Sequence, residues 1–212
     1  MRTLVVRGGW EGHFPTEATE IFLPALRERG DDVVAEDLAV YADPDLGRYD
    51  LIVQCWSMGE LTDAEELGLT SAVRAGTGFA GWHGGVLATM YANLEYGLMV
   101  GGRFVAHPGD LIDYRVDVID DHPVVAGVGS FDVHTEQYFC HTDPVIEVHA
   151  TTTFGGEHGT PEIAGAVAPV VWTRRYGAGR VFVSTLGHFP SELDMPQTRT
   201  ITERGLFWAA RG

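Results

Sequence analysis

The sequence has no lysine: its 14 basic residues are all arginines, set against 30 acidic residues for a formal net charge of −16. Scattered arginines do not make the basic patch that nucleic acid or an anionic membrane requires, so neither is expected as a partner. The same absence excludes a Walker-type phosphate loop, which needs Gly-Lys followed by Ser or Thr. Gly8-Gly9-Trp10-Glu11-Gly12 also departs from the Gly-x-Gly-x-x-Gly dinucleotide fingerprint. No run of about twenty apolar residues is available to span a bilayer. Met1 to Arg7 lacks the longer apolar region and small-residue cleavage site of a signal peptide, which points to the cytoplasm. There are only two cysteines, Cys55 and Cys140, each inside a strand-like segment, so buried free thiols are expected rather than a disulfide. No two histidines or cysteines stand at the short spacing of a structural zinc site, so any divalent metal must be assembled from distant loops. Internal repeats and low-complexity tracts are absent as well.

What is present suits one globular domain over residues 1–212, with 45% hydrophobic composition and enough length to bury a core. Thr3 to Arg7 reads as a strand, followed by a glycine-rich loop and a helix from Pro15 to Gly30 with Ile21, Phe22, Ala25 and Leu26 on one face. Further strands are expected at 32–37 and 49–55, the latter almost continuously apolar, as suits a central parallel strand. Thr62-Asp63-Ala64-Glu65 is a capping-box signature that starts a helix ending near Ala75. Strands alternating with helices imply a doubly wound α/β sheet. The second half reads differently, with strand-like runs at 112–119, 131–139 and 145–152. A hairpin is expected where 169–175 and 180–186 flank Tyr176-Gly177-Ala178-Gly179, and a last helix over 198–210.

The most telling stretch is Gly78-Phe79-Ala80-Gly81-Trp82-His83-Gly84-Gly85, a buried strand that turns sharply into a helix expected over Val86 to Leu98. Such a turn resembles the nucleophile elbow, whose apex is exposed and strained, but the apex here is His83. In an open α/β sheet ligands gather at the carboxyl ends of the strands. His13, Trp56, Ser57, His83 and His188 fall there, and His107, Glu136, Tyr138 and His141 are placed to join them. His13 reads equally well as a solvated loop residue. From spacing alone Glu136 reads as an exposed strand carboxylate. Trp10 and Trp56 put aromatic surface near the strand ends, suited to stacking on a ligand, while Trp82 suits either stacking or the core. His122, His134, His149 and His158 are assigned to the surface.

Gly78 to Gly85, Gly101-Gly102-Arg103-Phe104 with His107-Pro108, Asp121-His122-Pro123, Thr135-Glu136-Gln137-Tyr138, Pro169 to Thr173, and Tyr176 through Gly187-His188 occur in an order that resembles ThuA-like proteins, the trehalose-utilisation family. The resemblance implies a flavodoxin-like, class I glutamine amidotransferase-like three-layer sandwich, with a mostly parallel central sheet and a C-terminal antiparallel hairpin. By position His83 replaces the amidotransferase cysteine, and His188 with Glu192 resembles the late catalytic pair. Without a thiolate at the elbow glutamine hydrolysis has no nucleophile, so a working amidotransferase is not expected. The resemblance implies instead a role in disaccharide or glycoside catabolism. On that reading a lyase or hydrolase acts on 3-keto sugars by proton abstraction and elimination, with His83, His188 and Glu136 catalytic. His13, Trp10, Trp56 and Tyr138 then hold the carbohydrate, and His107 and His141 are the candidates for a divalent metal. The alternative is a non-catalytic sugar-binding or regulatory amidotransferase-like module. Either form is compatible with a homo-oligomer.

Overall fold

A computed structural model describes every residue from Met1 to Gly212. Its strands are β1 (Arg2–Gly9), β2 (Asp31–Ala35), β3 (Leu51–Ser57), β4 (Gly78–Trp82), β5 (Gly102–Ala106), β6 (Leu111–Val118), β7 (Phe131–Glu136), β8 (Phe139–Thr142), β9 (Glu147–Thr153), β10 (Val167–Tyr176) and β11 (Gly179–Ser184). Nine of them form one sheet in the order β2-β1-β3-β4-β11-β10-β9-β6-β7, and β5 pairs with β8 in a separate two-stranded sheet. From β2 to β11 all neighbours are parallel, so their carboxyl ends share one edge. The hairpin of β10 and β11 turns the sheet antiparallel, and β9, β6 and β7 continue it. The antiparallel part is therefore larger than the hairpin alone, because β10 offers its second edge to β9.

The strands alternate between two apolar clusters, as a sheet covered on both faces requires. Val5, Leu51, Val53, Trp82 and Phe182 face one layer, which includes α1 (Pro15–Glu20), α2 (Leu23–Arg27) and, near the C-terminus, a long helix. Leu4, Val6, Ile52, Phe79 and Val183 face the other, packed on α3 (Asp63–Arg74). The remaining helices are α4 (Gly84–Leu87), α5 (Leu94–Val100), α6 (Pro190–Leu193) and the long α7 (Pro196–Ala209), which supplies Ile201 and Leu206 to the first layer. The expected flavodoxin-like sandwich is what the structure shows. The capping box is present too: Thr62 Oγ1 accepts from Glu65 N–H while Glu65 Oε2 accepts from Thr62 N–H at 2.7 Å. Both cysteines are buried free thiols, each pushed up to about 12 by burial. No helix is long and apolar enough to cross a membrane.

Two expected helices are broken, each for a local reason. Between α1 and α2 the chain tightens, and Pro24, which has no N–H to donate, sits in the first turn of the second piece. The helix expected over Val86 to Leu98 stops after α4 because Ala88 to Asn93 bonds to the loop after β3. Met58 N–H donates to Ala88 O at 2.9 Å, Met90 N–H to Gly59 O at 2.8 Å, and Asn93 Oδ1 accepts from Leu61 N–H at 3.0 Å. Met90 accordingly takes a positive φ of 52°. The strand expected over 131–139 likewise divides into β7 and β8. His149 is buried, correcting its surface assignment, with Nδ1 at 2.7 Å from Asp120 Oδ2 and Nε2 at 2.8 Å from Thr173 Oγ1.

Candidate functional site

At the carboxyl edge of the parallel strands His83 caps β4 with φ 49° and ψ −142°, a strained conformation for a residue with a side chain. This is the strained elbow anticipated from the flanking glycines, but its apex is buried and not exposed, because the His188 and Glu136 side chains and the Tyr138 ring close over it. Its N–H donates to Ser184 O at 2.7 Å, and its Nδ1–H donates to Thr185 O at 2.8 Å, since a carbonyl can only accept. Both bonds tie the apex to the segment leaving β11. The second ring nitrogen, Nε2, is thereby aimed at two groups from elsewhere in the chain: Glu136 Oε2 at 3.1 Å and His188 Nδ1 at 3.2 Å. The third side of that triangle, His188 Nδ1 to Glu136 Oε2, measures 3.3 Å. Glu136 ends β7 and is buried, so it is not the exposed strand carboxylate that spacing suggests.

His13 completes the group, and its ligand atom lies within 4.8 Å of the other three. It follows β1 on a short 3-10 turn whose cap, Phe14, is held left-handed at φ 48°. The imidazole presses on the backbone of the elbow: a Cβ at Gly84 would lie 2.0 Å from His13 Cε1. The glycine after His83 therefore serves His13 by leaving the space its ring fills. His13 Nδ1 is 2.6 Å from Ser57 Oγ at the end of β3, which leaves Nε2 free. Burial, followed by the adjacent imidazoles of His83 and His188, pulls the His13 pKa down to about 3, so the ring is neutral. Burial alone would raise the Glu136 pKa. Hydrogen bonds and charge from His188 and His83 outweigh it and hold the carboxyl well below its ordinary range.

Tyr138 stacks on His83 with ring centroids 4.1 Å apart, and Phe104 backs it at 4.5 Å. Burial, then the Glu136 charge, pushes its phenol well above the usual range, so it stays protonated. His107 stands at the margin, with Nε2 3.6 Å from Glu136 Oε1 and 31% of its side chain exposed. Trp10, 45% exposed, meets His13 edge-on at 4.7 Å. Trp56 packs over Gly8 and lines a neighbouring depression with Arg7, Glu11 and Glu36. Trp82 is core, packed on Phe22 at 5.0 Å. His141 is not brought to the cluster. It is exposed on β8 opposite Arg103 and lines a depression of about 440 Å³ with Leu94 and Leu98.

The late pair inferred from the resemblance is present in altered form. Glu192 Oε2 accepts from the backbone N–H of His188 at 2.9 Å and from Thr135 Oγ1 at 2.7 Å, so the carboxylate fixes the loop of His188. Its other oxygen is buried without a partner. Ser57, Thr135 and Thr185 support the cluster. Ser57 is signalled by its position just after a strand, while Thr135 and Thr185 lie within stretches that carry the family resemblance but are not singled out there.

The family model described as ThuA, trehalose utilisation, matches residues 2–209. No curated protein sequence matches the chain. A protein described as ThuA-like from Bacteroides uniformis superposes with a TM-score of 0.80 at 17% identity, covering 99% of this chain and 91% of that one. A cytoplasmic protein of Salmonella typhimurium gives 0.69 at 15% identity, with 100% of each chain covered. A β-galactosidase from Rahnella sp. R3 gives 0.61 at 14% identity over 98% of this chain but 30% of the galactosidase. At such identities the structural likeness speaks to the fold, while the family match spans nearly the whole sequence. The chain belongs to the ThuA, or trehalose-utilisation, family.

Proposed function

We propose that this chain, acting as one domain, processes carbohydrate in disaccharide or glycoside catabolism, and that it acts on sugars carrying a ketone at C3. The observation that supports this most is the closed triangle of His83, His188 and Glu136 beside His13, at the sheet edge where α/β proteins bind ligands. A C3 ketone acidifies the proton on C2. Removal of that proton by the imidazole and carboxylate cluster leaves the electron pair in a C2–C3 enolate. Its collapse restores the ketone, forms the C1–C2 double bond and expels the C1 oxygen, which takes up a proton as an alcohol. Imidazole suits both transfers because its ordinary pKa lies near neutrality. Trp10 offers aromatic surface to the sugar, whereas Tyr138, buried between His83 and Phe104, backs the cluster instead of contacting substrate; substrate would approach past Trp10 and the partly exposed His107.

The test is turnover of 3-keto-trehalose or a 3-keto-glucoside by the purified chain. His83→Ala and His188→Ala are expected to lower it by about 10²–10⁴-fold, the usual contribution of positioned acid–base groups, while His141→Ala leaves it unchanged. Undiminished turnover in both cluster variants would overturn the mechanism. A second reading, a sugar-binding module without chemistry, is favoured by the deep burial of the cluster and the missing thiol. It gains if such sugars bind but are not consumed.

A further inference from the structure

The triangle of His83 Nε2, His188 Nδ1 and Glu136 Oε2 brings three atoms that can each present a lone pair to within about one ion's width of one another. Its edges measure 3.2 Å between the two imidazoles, 3.1 Å from His83 to Glu136 and 3.3 Å from His188 to Glu136, and the first two are hydrogen bonds that each need one donor and one acceptor. An ionised carboxylate only accepts, and each ring nitrogen bears either one proton or one lone pair. If both nitrogens donate to Glu136, they face each other as two donors. If one donates, the other turns a lone pair toward the carboxylate. With Glu136 ionised, every assignment leaves one edge with like roles, at positions almost closed to water.

A cation removes the conflict, because all three atoms can then present lone pairs to one centre. The dimensions agree. Ligands about 2.0–2.1 Å from a tetrahedral ion stand roughly 3.3–3.4 Å apart, close to the three observed edges. The supporting contacts agree as well. Thr185 O holds the His83 proton on Nδ1 and so presents Nε2 as a lone pair, and Ser57 orients His13 with Nε2 free. Such outer partners are what metal-bound histidines usually have.

The geometry points to a mononuclear divalent metal centre, zinc or a similar first-row ion, held by His83 Nε2, His188 Nδ1 and Glu136 Oε2, with His13 as the fourth ligand. Three imidazoles and one carboxylate suit such an ion better than magnesium or calcium, which prefer oxygen. His107 lies outside the triangle and His141 outside the site, so the ligand set differs from the pair suggested by sequence. Resting on the carbohydrate reading, the site takes a further meaning: an ion held there would supply charge to stabilise an enolate oxygen, and His107, outside the ligand set and beside Glu136 and Asp110, would be the residue left to move the proton.

The experiment is metal analysis of the full chain as purified, followed by removal of metal with a chelator and calorimetric titration with Zn²⁺ and Co²⁺. One ion per chain is expected, with four-coordinate visible absorption for Co²⁺ and a raised melting temperature on binding. His188→Ala and Glu136→Gln should abolish binding. Ser57→Ala, which leaves the ligands in place, should weaken it by about 10–100-fold. His107→Ala and His141→Ala should bind as wild type, with only His107→Ala losing turnover. Failure of the stripped, folded chain to take up either ion would overturn the centre, as would unchanged binding in Glu136→Gln together with Ser57→Ala. Metal binding without sugar turnover sustains the centre and removes the carbohydrate reading, whereas full turnover by metal-free protein sustains the carbohydrate reading and overturns the ion's part in it.

Discussion

At the residue scale the site depends on side chains that are absent as much as on those present. Gly84 has no Cβ, and His13 occupies that space. Gly84→Ala would therefore displace His13 while leaving His83 on its strand. The expected outcome is a loss of turnover of at least about 10-fold with destabilisation of about 1–3 kcal/mol from overpacking, read from kinetics and thermal melts on the same preparation. If turnover survives, His13 is not part of the working site. The elbow was legible because glycines flank a polar apex. The approach of His13 was not, because the contact joins the loop after β1 to the turn after β4, and no local pattern encodes a contact between two loops.

At the scale of elements, the short helix α4 leaves carbonyls that its own turns cannot satisfy. Gln54, buried on β3, supplies part of the answer. Its Nε2 donates to Gly85 O at 2.9 Å and to Tyr96 OH at 2.7 Å, while its Oε1 accepts from Tyr41 OH at 2.9 Å. Tyr96 OH in turn donates to Val86 O at 3.1 Å. The network pins the turn that carries His83. Replacing Gln54 with leucine keeps the size but strands its partners, at about 1–3 kcal/mol for each group left unpaired. The denaturation midpoint should fall with an unchanged m-value; an unshifted midpoint would mean the network contributes nothing. Gln54 sits in a run that reads simply as an apolar strand. Its role becomes visible only when α4 ends early and Tyr96 swings over it.

For the whole molecule the formal charge of −16 is the dominant electrostatic fact. Self-repulsion at pH 7 is screened by salt, so the melting temperature should rise between about 0.01 and 0.15 M monovalent salt, where the Debye length falls from roughly 30 to 8 Å. Acid acts through particular pairs. Burial would raise the Asp120 pKa, but the His149 ring and the His122 N–H lower it. At Asp50 the N–H of Arg2 and the Arg211 guanidinium likewise overcome burial. A lowered carboxylate pKa stabilises the fold above the unfolded value, near about 3.9, and that contribution is lost as pH falls through the folded value. Melting temperatures should therefore fall below about pH 4, and Asp120→Asn should lessen the fall. A parallel fall in the variant would mean that the His149 pair is not involved.

The sequence by itself determined the covered sheet, through the nearly continuous apolar runs of β1 and β3, the cap of α3, and the elbow at His83. These rest on short-range sterics and on hydrogen bonds between near neighbours. Of nine histidines the sequence brought His13, His83 and His188 to one sheet edge, but only tertiary structure decided that they close on Glu136 while His107 stays at the margin and His141 is excluded. His83 meets Glu136 across 53 residues and His188 across 105, because β11 docks beside β4 and the antiparallel strands swing β7 back to the same edge. His141, only five positions beyond Glu136, is carried away on the separate sheet of β5 and β8. Strand order sets those distances, and it follows from the packing of the whole chain.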